Sequence, residues 1–187
     1  MKYEPYIETY RYLSRLLKAD AHVLDVACGP GNISKFLWDE KPQLNIHGID
    51  LSPQMINLAR SNIPTAVFEI KDSRDLASLN KTYDAIVAGF CFPYLSIEEV
   101  TQFIISARSI IKSGGIIYIS TMEDDYENSG YQSNNNVDRV YIYYHQAKYL
   151  LEQLESAGFE IINVERKSFA LDDKSKTVDL FIYAKAR

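Results

Sequence analysis

Apolar positions along this chain switch repeatedly between a helical and a strand period. Tyr6, Tyr10, Leu13 and Leu17 recur at helical spacing and predict an N-terminal helix within residues 1–20. The run His22–Ala27 is short, apolar and followed by Cys-Gly-Pro-Gly, which predicts a buried strand entering a tight turn. Ile33, Phe36 and Leu37 mark the inward face of the next helix, and Leu44–Ile49 a second strand. Ser52-Pro53 has the form of a capping serine with proline at the first helical position, so a helix is expected to about Arg60. Ala66–Ile70 and Tyr83–Ala88 read as two further strands. Ser96-Ile-Glu-Glu99 is a capping box, and Val100, Phe103, Ile104, Ala107 and Ile111 continue its helix until Ser113-Gly-Gly115. Ile116–Ser120 predicts a fifth strand. Ala147, Leu150, Leu151, Leu154 and Ala157 mark a last helix closed by Gly158, and Phe159–Glu165 and Thr177–Ala184 are two terminal strands joined by the polar run Ser168–Lys176.

Strands alternating with helices of this length imply βαβ units and a parallel sheet covered on both faces. The last two strands have no helix between them and must pair antiparallel. A chain of 187 residues suits one domain, 1–187, and no repeat, low-complexity tract or linker divides it. Only residues 122–139, with Asn128, Gly130 and Asn134-Asn-Asn136, lack a core pattern and read as a mobile surface loop.

Composition sharpens this picture in one place. The chain has 14 Tyr against 8 Phe and 1 Trp, and seven of the tyrosines lie between Tyr118 and Tyr149. Residues 122–160 carry two basic and eight acidic side chains, a local net of −6 that accounts for the whole chain's −5. An acidic surface argues against a nucleic-acid partner. No apolar run is long enough to span a membrane and no signal peptide opens the chain, so no membrane partner and a cytoplasmic location are expected. Two cysteines and three scattered histidines offer neither a disulfide framework nor a metal site. A monomer or homodimer is expected.

The informative segment is Val23-Leu-Asp-Val-Ala-Cys-Gly-Pro-Gly-Asn32. A parallel sheet binds ligands beyond the carboxyl ends of its strands, and a glycine turn there lets backbone approach a ligand closely. A dinucleotide fingerprint needs a third small residue, a position that Ser34 fills weakly. Asp25, four residues before Gly29, would repel a pyrophosphate but attract an amino group or sulfonium, which favours an amino-acid-bearing nucleoside.

These residues resemble the class I methyltransferases that use S-adenosylmethionine. Leu24-Asp-Val-Ala-Cys-Gly-Pro-Gly31 looks like that family's first motif, with Ala27, Gly29 and Gly31 at its small positions, and Gly48-Ile-Asp-Leu-Ser-Pro-Gln-Met55 is similar to the second. The resemblance implies an α/β, Rossmann-like, seven-stranded and mostly parallel sheet of order 3-2-1-4-5-7-6, with helices on both faces. It further implies that Asp50 accepts hydrogen bonds from both ribose hydroxyls, that Leu51 and Met55 pack on adenine, and that Asp72 and Ser73 meet its edge. Gly89 and Phe90, in Tyr83-Asp-Ala-Ile-Val-Ala-Gly-Phe-Cys-Phe-Pro-Tyr94, would lie beneath the sulfonium.

Methyl transfer needs the acceptor held in line, and an amine or hydroxyl acceptor also needs a base. His145, where the tyrosine-rich stretch meets the last helix, is the candidate base, with Tyr143 beside it. Tyr94, Tyr141 and Tyr143 are candidate substrate contacts, and Arg139 could hold a carboxylate bidentately. The segment Gly-Phe-Cys-Phe-Pro-Tyr94 departs from the Asn/Asp-Pro-Pro-Tyr/Phe element with which many base-amino methyltransferases grip a planar nitrogen. That departure and the acidic charge favour a small-molecule acceptor, held under a lid made by the N-terminal helix (1–20) and the loop 122–144. Two other readings stay open: a non-catalytic S-adenosylmethionine-binding module, and an NAD(P)-dependent oxidoreductase.

Overall fold

The structure, a computed structural model, describes residues 4–134, 138–170 and 176–187. In chain order the elements are α1 (Ile7–Leu16), β1 (His22–Val26), α2 (Asn32–Glu40), β2 (Asn45–Asp50), α3 (Pro53–Asn62), β3 (Val67–Ile70), β4 (Tyr83–Gly89) and α4 (Ile97–Ile110). They continue with β5 (Ile111–Glu123), β6 (Gly130–Asn134), β7 (Asp138–Ile142), α5 (Ala147–Ser156), β8 (Phe159–Ala170) and β9 (Lys176–Ala186).

Local chemistry sets the boundaries. Ser52 Oγ accepts the Met55 amide at 3.3 Å with Pro53 at the first helical position, starting α3. At α4, Ser96 Oγ accepts the Glu99 amide while Glu99 Oε2 accepts the Ser96 amide at 2.8 Å, the reciprocal box read from the sequence. α2 begins instead at Gly31, whose φ of +80° a side chain with a Cβ rarely adopts.

Seven strands form one sheet in the order β3-β2-β1-β4-β5-β9-β8, and β6 and β7 form a separate hairpin. With the hairpin set aside, the order is the expected 3-2-1-4-5-7-6. All neighbours pair parallel except β9, which runs antiparallel to both β5 and β8. The period-two alternation divides the core into two layers. Val23, Ala85, Val87, Tyr118 and Tyr183 face α1, α2 and α3. Leu24, Val26, Ile86, Ala88, Ile117 and Ile119 face α4 and α5.

Residues 122–139 differ from the expected loop. β5 runs on to Glu123, and Gly130–Asn134 pairs with Asp138–Ile142 in register. Polar side chains on both strands hid the alternation, while the cross-strand pair Tyr131–Tyr141 brings two rings to 5.1 Å. Asn135 and Asn136 of the proposed loop lie outside the described residues, as do Met1–Tyr3 of the proposed N-terminal lid.

Candidate functional site

Chain order reverses between β1 and β4: β2 and β3 continue to one side of β1, while β4, β5 and the terminal pair lie on the other. Ligands of such sheets bind where the chain leaves these strands in opposite directions. A cavity of about 510 Å³ opens there, lined by residues that follow β1, β2 and β4. Ala27, Gly29, Asp50, Leu51, Gly89 and Phe90, all named as cofactor candidates from the sequence, border it. So do Asp25, Ser73 and Tyr94.

The loop after β1 is shaped for close approach. Ala27 and Phe90, both bordering the cavity, adopt positive φ (54° and 51°), which costs a residue with a Cβ energy that the surrounding packing must hold. Gly29 also has positive φ, and a Cβ built on it would meet nothing within 4 Å, so its backbone lies open to the cavity. The Gly29 amide donates to Asp50 Oδ2 and the Ser52 amide to Asp50 Oδ1, both at 2.8 Å. Those two bonds hold the ends of β1 and β2 together. Each carboxylate oxygen keeps a further lone pair for a ligand.

Asp25 is the electrostatic centre of the cavity. Its side chain points to the α2 face of the sheet, is 1% exposed, and accepts the Ser34 hydroxyl at 2.6 Å. Burial pushes its carboxyl up to about 7, against the lowering effect of the Ser34 bonds, with Asp50 adding a smaller upward push. Its bonded partner is a neutral hydroxyl, so a cationic group of a ligand is what its ionised form lacks.

Three expected cofactor residues do not border the cavity. Gly31 caps α2 with its Cα hydrogen turned toward Ala59, whose Cβ lies 3.4 Å from where a side chain would begin. Met55 is half-buried in the first turn of α3. Asp72 turns its carboxylate to the Arg74 amide (2.9 Å) and guanidinium (3.1 Å), capping the 3-10 segment Ser73–Ser78. Its neighbours Lys71, Ser73 and Arg74 border the cavity in its place.

His145 is a correction. It lies outside this cavity, 1% exposed, with Nε2 3.0 and 3.1 Å from the carbonyl oxygens of Phe92 and Leu95. Carbonyls only accept, so Nε2 carries hydrogen and the ring is tied to the turn Phe92–Tyr94. Burial holds its pKa below the ordinary imidazole value. Tyr143 also stands away from the cavity, stacked on Tyr126 at 6.1 Å and packed on Tyr141 at 4.6 Å. Its amide donates to the Pro93 carbonyl at 2.9 Å. Tyr141 and the exposed Arg139 sit on β7, where cross-strand pairing turns Tyr141 toward Tyr131. Neither borders the cavity.

The rings that do reach it, besides Phe90 and Tyr94, are Tyr6 and Tyr10 from the N-terminal segment. Tyr6 donates to the buried Asp179 at 2.5 Å and packs 5.5 Å from Phe90. Tyr6, at the cap of α1, and Tyr10 belong to the N-terminal segment that the sequence reading proposed as a lid, and both border the cavity. Among the described residues, no group of three or more His, Cys, Asp or Glu side chains could hold a metal ion. No described helix is long and apolar enough to cross a membrane.

A family model described as a methyltransferase domain matches residues 23–115. An uncharacterized methyltransferase of Alkaliphilus oremlandii is 30% identical over 147 residues, covering 78% of this chain and 64% of that protein. The malonyl-[acyl-carrier protein] O-methyltransferase of Halalkalibacterium halodurans is 32% identical over 109 residues, covering 55% of this chain and 40% of that protein. These matches span less than two thirds of the relatives' own lengths. A solved S-adenosylmethionine-dependent methyltransferase from Methanosarcina mazei shares the fold with a TM-score of 0.78 at 19% identity, covering 94% of this chain and 96% of that one.

Proposed function

Since the chain belongs to the class I S-adenosylmethionine-dependent methyltransferase family, we propose that it transfers a methyl group from S-adenosylmethionine to a small-molecule acceptor at the cavity beyond β1, β2 and β4. The observation that carries this reading is the pairing of two carboxylates in that cavity with different tasks. Asp25 is buried with its carboxyl pushed up to about 7, and is suited to a cationic amino-acid end. Asp50 is fixed by two backbone amides with lone pairs to spare, and is suited to a pair of ribose hydroxyls.

The residues fit the cofactor. Open space at Gly29 lets the loop backbone lie against it, and Leu51, 58% exposed at the cavity edge, offers a face for adenine. Ser73, Gly89 and Phe90 border the same cavity, in keeping with the roles the resemblance gives them, Ser73 toward the adenine edge and Gly89 and Phe90 toward the sulfur. When bound, the cofactor supplies an electrophilic methyl group on a sulfonium. The chain's part is then orientation and exclusion of water. Tyr6 and Tyr10 from the N-terminal side and Tyr94 from the opposite turn form flat walls for an acceptor.

Two measurements test this. Titration with S-adenosylhomocysteine and, separately, NADH should give saturable binding of the first alone. Binding of NADH alone defeats the proposal. Turnover of methyl-labelled S-adenosylmethionine against a panel of small amines, carboxylic acids and phenols should then give a labelled product. Binding without turnover across the panel supports a non-catalytic module instead.

A further inference from the structure

Tyr6 borders the cavity beyond β1, β2 and β4 from a segment that the rest of the chain grips in two different ways. From Thr9 onward, α1 is clamped. Thr9 is fully buried and its carbonyl accepts the Tyr183 hydroxyl at 3.0 Å, and Leu13, one turn on, is buried as completely. Lys41 Nζ closes the far end, donating to the carbonyls of Ser14 at 2.6 Å and Leu17 at 2.5 Å. Ahead of Thr9, Tyr6 reaches the sheet through its side chain. Its ring lies 5.5 Å from that of Phe90, 5.6 Å from Phe181 on β9 and 5.8 Å from Phe169 on β8. Its hydroxyl donates to Asp179 Oδ2 on β9 at 2.5 Å.

Asp179 is 173 residues away in sequence, 4% exposed, and not among the residues that line the cavity. In register it stands between Met122 of β5 and Lys167 of β8, at the carboxyl end of β5. Alternation along β9 places it on the same face as Phe181 and Tyr183, the face that α1 covers. A buried carboxylate costs stability unless hydrogen bonds hold it, and the Tyr6 phenol supplies one. Burial pushes the carboxyl above its ordinary value, and the Tyr6 bond opposes that push. To the ionised group this bond is charge-assisted, stronger than a bond between neutral partners.

We propose that Asp179 is a positioning residue for this cavity: through Tyr6 it latches the segment Glu4–Tyr6 over the ligand end of the sheet and sets how fast ligands enter and leave. Asp179 stands behind the wall and not in it, so its bond to Tyr6 is the same whether the cavity is filled or empty. The latch therefore slows entry and exit by a common factor and leaves affinity nearly unchanged. Clamped α1 is the fixed base. Half-buried Ile7 and exposed Glu8, between base and latch, take up the movement, and the bond from Thr9 Oγ1 to the Tyr6 carbonyl (2.7 Å) parts with it. Topology places the latch. Asp50 ends β2 on one side of β1, whereas β4, β5 and β9 succeed one another on the other, so Tyr6 closes the side remote from Asp50. Only the choice of ligand rests on the methyl-transfer reading.

The test compares the full chain with Asp179→Leu, which removes the acceptor, Asp179→Asn, which keeps an acceptor oxygen, Tyr6→Phe, and the pair Tyr6→Phe, Asp179→Leu. Without ligand, amide hydrogen exchange read by mass spectrometry should be about tenfold faster in Asp179→Leu over residues 4–12 and unchanged over the rest of α1. With S-adenosylhomocysteine, surface plasmon resonance should show association and dissociation both about tenfold faster in Asp179→Leu, with the dissociation constant within threefold of wild type. Asp179→Asn should fall between the two, and the double variant should match Asp179→Leu, because both substitutions break one bond. Asp179→Asn carries the test if Asp179→Leu fails to fold. Faster dissociation with an equal loss of affinity marks a lost contact and overturns the latch, as do additive effects in the double variant. If wild type binds no S-adenosylhomocysteine, the methyl-transfer reading fails and exchange alone decides: unchanged exchange over residues 4–12 overturns the latch, and faster exchange supports it.

Discussion

Replacing Asp25 with asparagine tests the electrostatics of the cavity beyond β1, β2 and β4 most directly. The side chain is 1% exposed, and burial pushes its carboxyl from the ordinary 3.8 up to about 7. At 1.36 kcal/mol per unit, ionising it in the folded chain costs about 4 kcal/mol more than in the unfolded chain. Because the folded chain holds this proton more tightly, its contribution to stability falls as pH rises from about 4 to about 7, and the loss is complete above that. Asparagine keeps an oxygen for the Ser34 hydroxyl and never ionises. The variant should therefore match wild type near pH 4 and exceed it by up to about 4 kcal/mol at pH 8, measured by urea unfolding without ligand. Ligand binding should run the opposite way. If the cationic end of S-adenosylhomocysteine meets the ionised carboxylate, binding below about pH 7 must release one proton. Wild-type affinity then rises roughly tenfold per pH unit up to about 7 and levels off, while the variant binds more weakly with no such slope. A stability difference that is the same at pH 5 and pH 8 would falsify the protonated-carboxyl argument. A wild-type affinity that is flat from pH 5.5 to 8 would remove the cation contact.

Asp50→Asn turns an amide N–H₂ toward the Gly29 or Ser52 amide, so thermal unfolding should show a loss of about 1–3 kcal/mol. Its affinity for S-adenosylhomocysteine should fall roughly 10–100-fold, since charge-assisted bonds at ~1.5–3 kcal/mol each are partly lost; an unchanged dissociation constant by calorimetry rejects the ribose placement. His145→Gln should lower stability by about 1–3 kcal/mol and leave S-adenosylhomocysteine affinity intact, because the ring ties Phe92 and Leu95 rather than touching the cavity. Since burial lowers the histidine's folded pKa, stability is lost as pH falls below the ordinary value of 6.5, and that part of the acid slope should vanish in the variant when unfolding midpoints are compared. Burial pushes Cys91 up to about 12 and Cys28 higher still, so iodoacetamide at pH 8 should modify either more than a hundredfold slower than free cysteine, read by mass spectrometry. Rapid labelling of the folded protein would contradict the burial of both thiols.

Most of the fold, and the residues at the strand ends that border the first cavity, were legible because their signals are local. The glycine turn after β1, the Ser52-Pro53 and Ser96–Glu99 caps, and the strand-ending Asp50 and Gly89 each fix backbone within a few residues. Alternation of those short elements implied a mostly parallel sheet, and its strand order came from the family resemblance. Asp72 shows where local reading fails. A carboxylate after a strand can face a ligand or cap the next turn, and here the Arg74 amide claims it. His145 fails for a different reason. Its place is decided by carbonyls about 50 residues earlier, a packing relation that no spacing in the chain encodes.

The tyrosine excess separates in the same way. Composition marks residues 118–149 as the place where rings gather, yet the structure sends these tyrosines to three destinations. Strand alternation buries Tyr118 against α1, where its hydroxyl meets Thr9 and its ring packs 5.2 Å from Tyr183. Tyr131, Tyr141, Tyr143 and Tyr126 follow one another along the hairpin at centroid spacings of 5.1, 4.6 and 6.1 Å. Tyr126, Tyr144 and Tyr149 line a separate cavity of about 380 Å³ beside His145. The cavity beyond β1, β2 and β4 takes its tyrosines from elsewhere, from Tyr6, Tyr10 and Tyr94. A flat apolar body with a polar tip serves a buried strand pair, a surface ladder and a ligand wall equally well. The count therefore locates rings, and the topology assigns them work. Of the acidic side chains in residues 122–160, Asp125 and Glu127 border the cavity beside His145, whereas the cavity beyond β1, β2 and β4 takes its carboxylates from Asp25 and Asp50.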